Sequence, residues 1–159
     1  MSRSTEVLNA LLVRLFNRIL AIEEAVIRRA YGFELTMSEI HVLEAVGMGE
    51  PKSMSETASQ LGVTLGTLTT SVNRLVSKGY VTRIRPEEDR RVVLVKLTEA
   101  GRLPYHVHDR FHRKMVESIL EGLSPEEETA VISAAEKLYR FFAKVDPMDL
   151  WEEGVKQAD

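Results

Sequence analysis

The sequence predicts a mainly α-helical chain with one small β-hairpin: a winged helix-turn-helix lobe flanked by long N- and C-terminal helices. Three observations lead there. Apolar residues recur at helical spacing near both ends, and two short amphipathic segments in the middle are joined by a tight Leu61-Gly62-Val63 turn. A polar-tipped stretch rich in β-branched residues follows them directly.

The elements can be justified in order. Residues 4–30 set Leu8, Leu11, Leu12, Leu15, Phe16, Ile19, Ile22 and Val26 on one helical stripe. Three later helices begin with a hydroxyl residue followed three positions on by glutamate: Thr36/Glu39, Ser53/Glu56 and Ser124/Glu127. At that spacing the two side chains reciprocally satisfy free backbone N–H groups. Pro125 suits the first helical position, and Gly62 and Gly79 mark helix ends. Helices are therefore expected over 4–30, 37–48, 54–61, 65–77, 99–121 and 125–143. A hairpin over 80–97 joins YVTRIRP to VVLVKL through EEDRR, and a helical turn after Pro147 is expected to pack Trp151 onto the body. The 159 residues are read as one domain, with a DNA-binding lobe over 37–98 and a tail over 144–159. The wide apolar faces of helices 4–30 and 99–143 are expected to pack on a second subunit.

Composition is that of a globular protein, 44% hydrophobic and 28% charged. Arg3, Glu6, Arg14 and Arg18 interrupt the apolar N-terminus, which fits neither a secretion signal nor a membrane span. A cytoplasmic protein with no membrane partner is expected. The absence of cysteine excludes a disulfide framework and any thiol-based redox sensing. Net charge is −3, yet residues 71–98 hold seven cations against three carboxylates, a local +4. A basic block within an acidic chain is the footprint of a phosphate-binding surface, although a solvated charged face would show the same charge.

Residues 53–78 sharpen that reading. On the second helix Leu65, Leu68, Val72, Leu75 and Val76 share one side, with Thr67, Thr70, Ser71, Arg74 and Lys78 opposite. An ordinary solvated helix carries long Glu and Lys side chains there. Here Gly66, Thr67, Thr70 and Ser71 are small, which allows close approach to an anionic surface. Thr64 would cap the helix and leave its N-terminal N–H groups facing phosphate. Hydroxyls and threonine methyls can contact base edges, while Arg74 and Lys78 would meet phosphates. Arg90 and Arg91 at the hairpin tip, with Arg85 at its start, suit a narrow minor groove. Asp89 beside them makes sense as an intramolecular partner that orients a guanidinium.

The span Asp89-Arg90-Arg91 through Leu97-Thr98-Glu99-Ala100-Gly101 resembles the D-x-R…L-T-x-x-G signature of the MarR family of bacterial regulators. The resemblance implies a homodimer on a pseudo-palindromic double-stranded DNA operator, with Arg91 as the wing arginine and Arg90 an additional cation. VTLGTLTTSVNRLVSKGYV, RPEEDRRVV and HDRFHRKMVE are similar to the branch of that family that represses fatty-acid synthesis genes in Gram-positive bacteria. That similarity implies a repressor whose corepressor is a long acyl chain on acyl carrier protein. Such a chain needs an apolar tunnel, and Leu15, Ile19, Ile22, Val107, Phe111 and Met115 are candidate linings on stripes expected to face the core. Plain core packing is the alternative for each. Arg110, Arg113 and Lys114 are candidate docking cations for the acidic carrier, or else a solvated face.

Of the four histidines, His106, His108 and His112 lie within seven residues. His108 and His112, at i and i+4, share a helix face, the way a helix offers two imidazoles to a metal. With His41 and a carboxylate from Glu23 or Glu24, Glu24 being the chosen candidate, the set resembles that of zinc-sensing members of the family. The alternative is hydrogen bonding across helix junctions without metal. His106 is expected to be exposed. The DNA-binding reading requires no cofactor; an acyl chain and zinc are the ligands the resemblances add. A metal-dependent hydrolase is disfavoured, because no H-E-x-x-H, phosphate loop or nucleophile elbow is present. A regulator rather than an enzyme is expected.

Overall fold

In the computed structural model, which describes residues 2–32, 34–87, 89, 91–146 and 148, the expected elements follow one another in the expected order. They are α1 (Arg3–Tyr31), α2 (Met37–Val46), β1 (Lys52–Ser53), α3 (Met54–Leu61), α4 (Leu65–Ser77), β2 (Val81–Ile84), β3 (Leu94–Leu97), α5 (Glu99–Leu120) and α6 (Pro125–Phe142). The chain divides into two compact units, one up to Arg113 and one from Lys114 onward, with the boundary inside α5.

In the first unit the core lies among α2, α3, α4 and the sheet. Ile40, Leu43, Val46, Leu68, Val72, Leu75 and Val95 are all essentially inaccessible to water. Each fully buried aliphatic side chain of this kind contributes on the order of 2 kcal/mol. α2 starts on a complete capping box: Glu39 N donates to Thr36 Oγ1 (3.3 Å), and Thr36 N donates to Glu39 Oε2 (2.9 Å). At α3 only half of the expected box forms, with Glu56 N donating to Ser53 Oγ at 3.1 Å. The α3–α4 turn depends on Gly62, whose φ of 66° is left-handed, a region other residues enter at a cost.

The hairpin is narrower than expected, and its sheet has a third strand. β3 is central, pairing antiparallel with β2 (Val81↔Leu97 to Ile84↔Leu94) and with β1 (Lys52↔Val95, Ser53↔Leu94). Two residues of β1 carry no periodicity, so the sequence gives no sign of it. α5 runs through Pro104, which lies buried near its start. The Thr98-x-x-Gly101 spacing has a visible cause. Thr98 N donates to Tyr80 O (3.0 Å), Thr98 Oγ1 donates to Gly79 O (2.6 Å), and Gly101 N donates to Thr98 Oγ1 (3.1 Å). A Cβ at position 101 would stand 2.0 Å from Tyr80 O, so only glycine fits.

α1 is mostly uncovered: its buried residues are Glu23 and Ile27, while Leu8, Leu11, Leu15, Phe16 and Leu20 are each more than half exposed. In the second unit α6 begins on the expected Ser124/Glu127 box with Pro125 in its first turn. None of its residues is buried, and Val131, Ile132, Tyr139, Phe141 and Phe142 are exposed. Among the described residues no helix is long and apolar enough to cross a membrane. The turn expected after Pro147 and the packing of Trp151 fall outside the described residues.

Candidate nucleic-acid interface and histidine cluster

α4 is ordered by its own hydroxyls. Thr67 N donates to Thr64 Oγ1 at 3.2 Å, which caps the helix as expected. Further along, Thr69 Oγ1 donates to Leu65 O (2.7 Å), Thr70 Oγ1 to Gly66 O (3.2 Å) and Ser71 Oγ to Thr67 O (3.3 Å). With their protons turned inward, these side chains present acceptor lone pairs and methyl groups to solvent. Leu68, Val72 and Leu75 face the core, and Gly66, Thr67, Thr70 and Arg74 face out, while Ser71 is half-buried. Leu65, expected on the apolar side, is 50% exposed, because the first turn of α4 extends beyond the core. It lines an open cleft of about 440 Å³ with Met54, Thr69, Arg91 and Val92.

Lys78 does not join this surface. Its Nζ donates to Glu39 Oε1 (2.7 Å), Glu39 Oε2 (2.8 Å) and Glu34 O (2.6 Å), which uses all three protons. The expected phosphate contact is corrected to an internal anchor: Glu39 is buried and needs a counter-charge. Burial alone would raise the Glu39 pKa, but the Lys78 hydrogen bond, the Thr36 backbone N–H and the Lys78 charge hold it below the ordinary carboxylate value.

At the wing, one Asp89 oxygen accepts from both Arg91 Nε (3.2 Å) and Arg91 N (3.0 Å), so the carboxylate sets the direction of that guanidinium. Arg91 is 93% exposed at its side chain, and Arg85, just past the end of β2, is exposed. Arg90 lies outside the described residues. The structure adds a contact not expected from sequence: Arg83 Nη2, on β2, donates to Asn73 Oδ1, on α4.

The histidines gather around a different glutamate from the one expected. Glu23 Oε1 lies 2.6 Å from His108 Nε2, 2.9 Å from His112 Nε2 and 3.7 Å from His41 Nε2. The two nitrogens from α5 are 3.1 Å apart, and His108 and Glu23 are buried. Glu24 points elsewhere and pairs with Arg28. Adjacent positions on a helix diverge by about 100°, so only one of the two glutamates can face α5. The signal available in the sequence is the Ile19-Glu23-Ile27 stripe at i, i+4, i+8, which leads inward. Burial alone would raise the Glu23 pKa, yet hydrogen bonds and charge from His108 and His112 hold it below its ordinary value. His106 is exposed, as expected.

Of the expected acyl-tunnel residues Val107 packs against the core, and the others are not among the residues buried in it or packed on it. Leu15 is 53% and Ile22 39% exposed, and Ile19, Val107 and Phe111 are half-buried, as is Met115 in the second unit. Among the described residues, Leu8, Leu11, Leu15, Phe16 and Ile22 of the α1 stripe stay exposed, while Ile19 and Val26 are half-buried. A cleft of about 260 Å³ at the α1–α2 corner is lined instead by Ile27, Leu35, Met37, Glu24 and Arg28. Of the docking cations, Arg113 pairs with Asp109 and Lys114 lies near Glu117 and Glu121, whereas Arg110 is exposed.

Known proteins share this arrangement. A profile of the MarR family matches residues 35–93. YfiV, an uncharacterised HTH-type transcriptional regulator of Bacillus subtilis (strain 168), is 34% identical over 108 residues, 67% of this chain and 67% of that protein. YhjH of the same organism, described in the same way, is 30% identical over 107 residues; the match takes in 67% of this chain but 61% of YhjH. The crystal structure of Streptococcus pneumoniae FabT in complex with DNA superposes with a TM-score of 0.85 at 39% identity, covering 89% of this chain and 99% of that one. The two relatives from Bacillus subtilis are regulators by name, in line with the expectation of a regulator rather than an enzyme.

Proposed function

We propose, given that this chain belongs to the MarR family of transcriptional regulators, that it is a homodimeric repressor of fatty-acid synthesis genes with carrier-linked acyl chains as corepressor. The observation that carries the DNA-binding part is the exposed face of α4, where Gly66, Thr67, Thr70 and Arg74 stand clear of the core beside a wing arginine held by Asp89. The likeness to FabT, itself solved with DNA, supports the fatty-acid reading, as does the sequence resemblance to that branch. The uncovered apolar face of α1 suits a second copy of the chain, since a contiguous exposed apolar surface of this kind marks an interface. The cytoplasm is where such a regulator meets DNA.

Duplexes selected by the protein from a random-sequence pool supply the probe. Binding to the selected duplex is expected to tighten with long-chain acyl carrier protein and to ignore the unacylated carrier. Equal binding with both carriers would sink the acyl reading while leaving DNA binding intact.

A second reading, a regulator tuned by zinc, is favoured by the convergence of Glu23, His41, His108 and His112. A tetrahedral zinc with nitrogen and oxygen ligands at about 2.0–2.2 Å sets those ligands about 3.3 Å apart. Glu23, His41 and His108 offer ligand atoms that all lie within 4.8 Å of one another, and His112 Nε2 stands 2.9 Å from Glu23 Oε1; a borderline cation suits imidazoles with a carboxylate. Glu23, His41 and His108 fit the ion, which would join α1, α2 and α5 at one point. Zinc returned to chelator-treated protein is expected to bind stoichiometrically and to change duplex affinity. Zinc binding that survives His108→Ala, or no binding at all, would remove this reading.

A further inference from the structure

The Arg83–Asn73 contact joins the wing to the recognition helix. Asn73 lies three positions after Thr70 and seven after Gly66, so it continues the outward stripe of α4 by one turn. Both it and Arg83 are exposed. Arg83 stands on β2, the edge strand, opposite Val95, with no carboxylate within ion-pair distance among the described residues. Among the described residues one of its five N–H groups is engaged, and the acceptor is neutral.

A surface arginine without a carboxylate ordinarily loses conformational freedom when it grips an anion. Here the amide oxygen of Asn73 already holds the guanidinium at the outward side of α4, and the remaining donors keep the planar fork that matches a phosphate. Arg83, on β2, also sits in sequence between Arg74 of the helix and Arg85 and Arg91 of the wing. If the helix enters the major groove and the wing the adjacent minor groove, the sugar-phosphate strand between them passes this point.

We propose that Arg83 is a phosphate-gripping residue for the strand between the two grooves, with Asn73 as its positioning residue. The inference rests on the DNA-binding reading, and it is independent of which effector the protein answers to. Arg83 contributes charge and a fork; Asn73 contributes by fixing where that fork points. Sequence preference is unaffected, because phosphates carry no base identity.

The test follows binding of wild type, Arg83→Gln, Asn73→Ala and the double variant to one duplex selected by the wild-type protein, in steps of KCl. Arg83→Gln is expected to weaken binding by about tenfold. It is also expected to reduce the slope of log affinity against log salt by about 0.9 for each Arg83 engaged. Asn73→Ala is expected to weaken binding less, and the double variant to bind no more weakly than Arg83→Gln alone. Arg83→Lys, which keeps the charge and loses the fork, is expected to restore the slope and only part of the affinity. Unchanged melting of each variant shows that the fold is kept. A wild-type slope in Arg83→Gln would overturn the phosphate contact, and additive losses in the double variant would overturn the positioning role. If the wild-type protein selects no duplex, the DNA-binding reading itself falls and takes this inference with it.

Discussion

Lys78 Nζ lies 2.7 and 2.8 Å from the two carboxylate oxygens of Glu39, joining the C-terminal end of α4 to the first turn of α2. The Glu39 side chain is only 5% exposed and that of Lys78 33%. Removing Lys78 leaves the buried Glu39 charge without compensation, a penalty of several kcal/mol. Lys78→Met is therefore expected to lower unfolding free energy by about 3 kcal/mol in urea titration. Lys78→Met combined with Glu39→Leu is expected to lose less than Lys78→Met alone. A double variant no more stable than the single one would show that the pair is not what holds the helix end.

The same pair sets the acid limb of stability. The Glu39 carboxyl has a folded-state pKa below its ordinary value, so its contribution is present above the unfolded pKa and is lost as pH falls through the folded one. Wild type should lose stability on acidification below about pH 4.5 more steeply than Glu39→Gln, measured by chemical denaturation at each pH. Parallel profiles would argue against this carboxylate.

On the alkaline side the sign is reversed. Burial, with the nearby Glu34 carboxylate, pushes the Tyr80 hydroxyl up to about 12 from 10.0. A raised folded pKa gives stability that is fully present below pH 10 and lost as pH rises toward 12. Two pKa units correspond to roughly 2–3 kcal/mol, and Tyr80→Phe should abolish that alkaline decline. The readout is the difference between the two proteins' unfolding free energies at pH 9 and pH 11.

Gly101→Ala should be among the most damaging single substitutions in the first unit. The added methyl would stand 2.0 Å from Tyr80 O, so α5 or the turn before β2 must move. A loss of at least about 3 kcal/mol is expected by thermal melting, against a fraction of that for Gly66→Ala, where the nearest neighbour is 3.9 Å away. Similar melting temperatures for the two variants would contradict the close approach.

Two classes of substitution should separate on DNA. Arg74→Ala and Arg91→Ala should weaken binding to unrelated duplexes alike and flatten the salt dependence. Thr67→Ala and Thr70→Ala should instead shift which sequences are recovered from a random pool, because they stand where base edges would be met. Asp89→Asn should resemble a milder Arg91→Ala, since Asp89 aims the guanidinium. Recovery of the same sequences by Thr70→Ala and wild type would count against its placement at the bases.

Helix positions were legible wherever periodicity and capping coincided: Thr36/Glu39 and Ser124/Glu127 predict helix starts that the structure realises as complete boxes. Local signals were weaker for contacts between distant elements. Nothing in the composition of Lys78 distinguishes a cation that meets phosphate from one that meets Glu39, thirty-nine positions away. The choice between Glu23 and Glu24 turns on one step of helical rotation, and only the inward stripe through Ile19 and Ile27 decides it. Leu15 and Ile22 read as core because they are apolar and periodic, but periodicity says which face is apolar and not what covers it. The two-residue β1 falls below any pattern a sequence can show.

The junction of Thr98 and Gly101 with Gly79 and Tyr80 bears on how such a chain can change length. Backbone groups on both sides of the hairpin are fixed to one another, so an insertion at 78–81 or 97–101 would have to break them. Among the described residues between Arg85 and Val93 no backbone bond joins the two arms of the hairpin, and added residues there would only lengthen the tip. Variation in the size of the wing is thereby channelled to its outer end, while the spacing between recognition helix and long fifth helix is held constant.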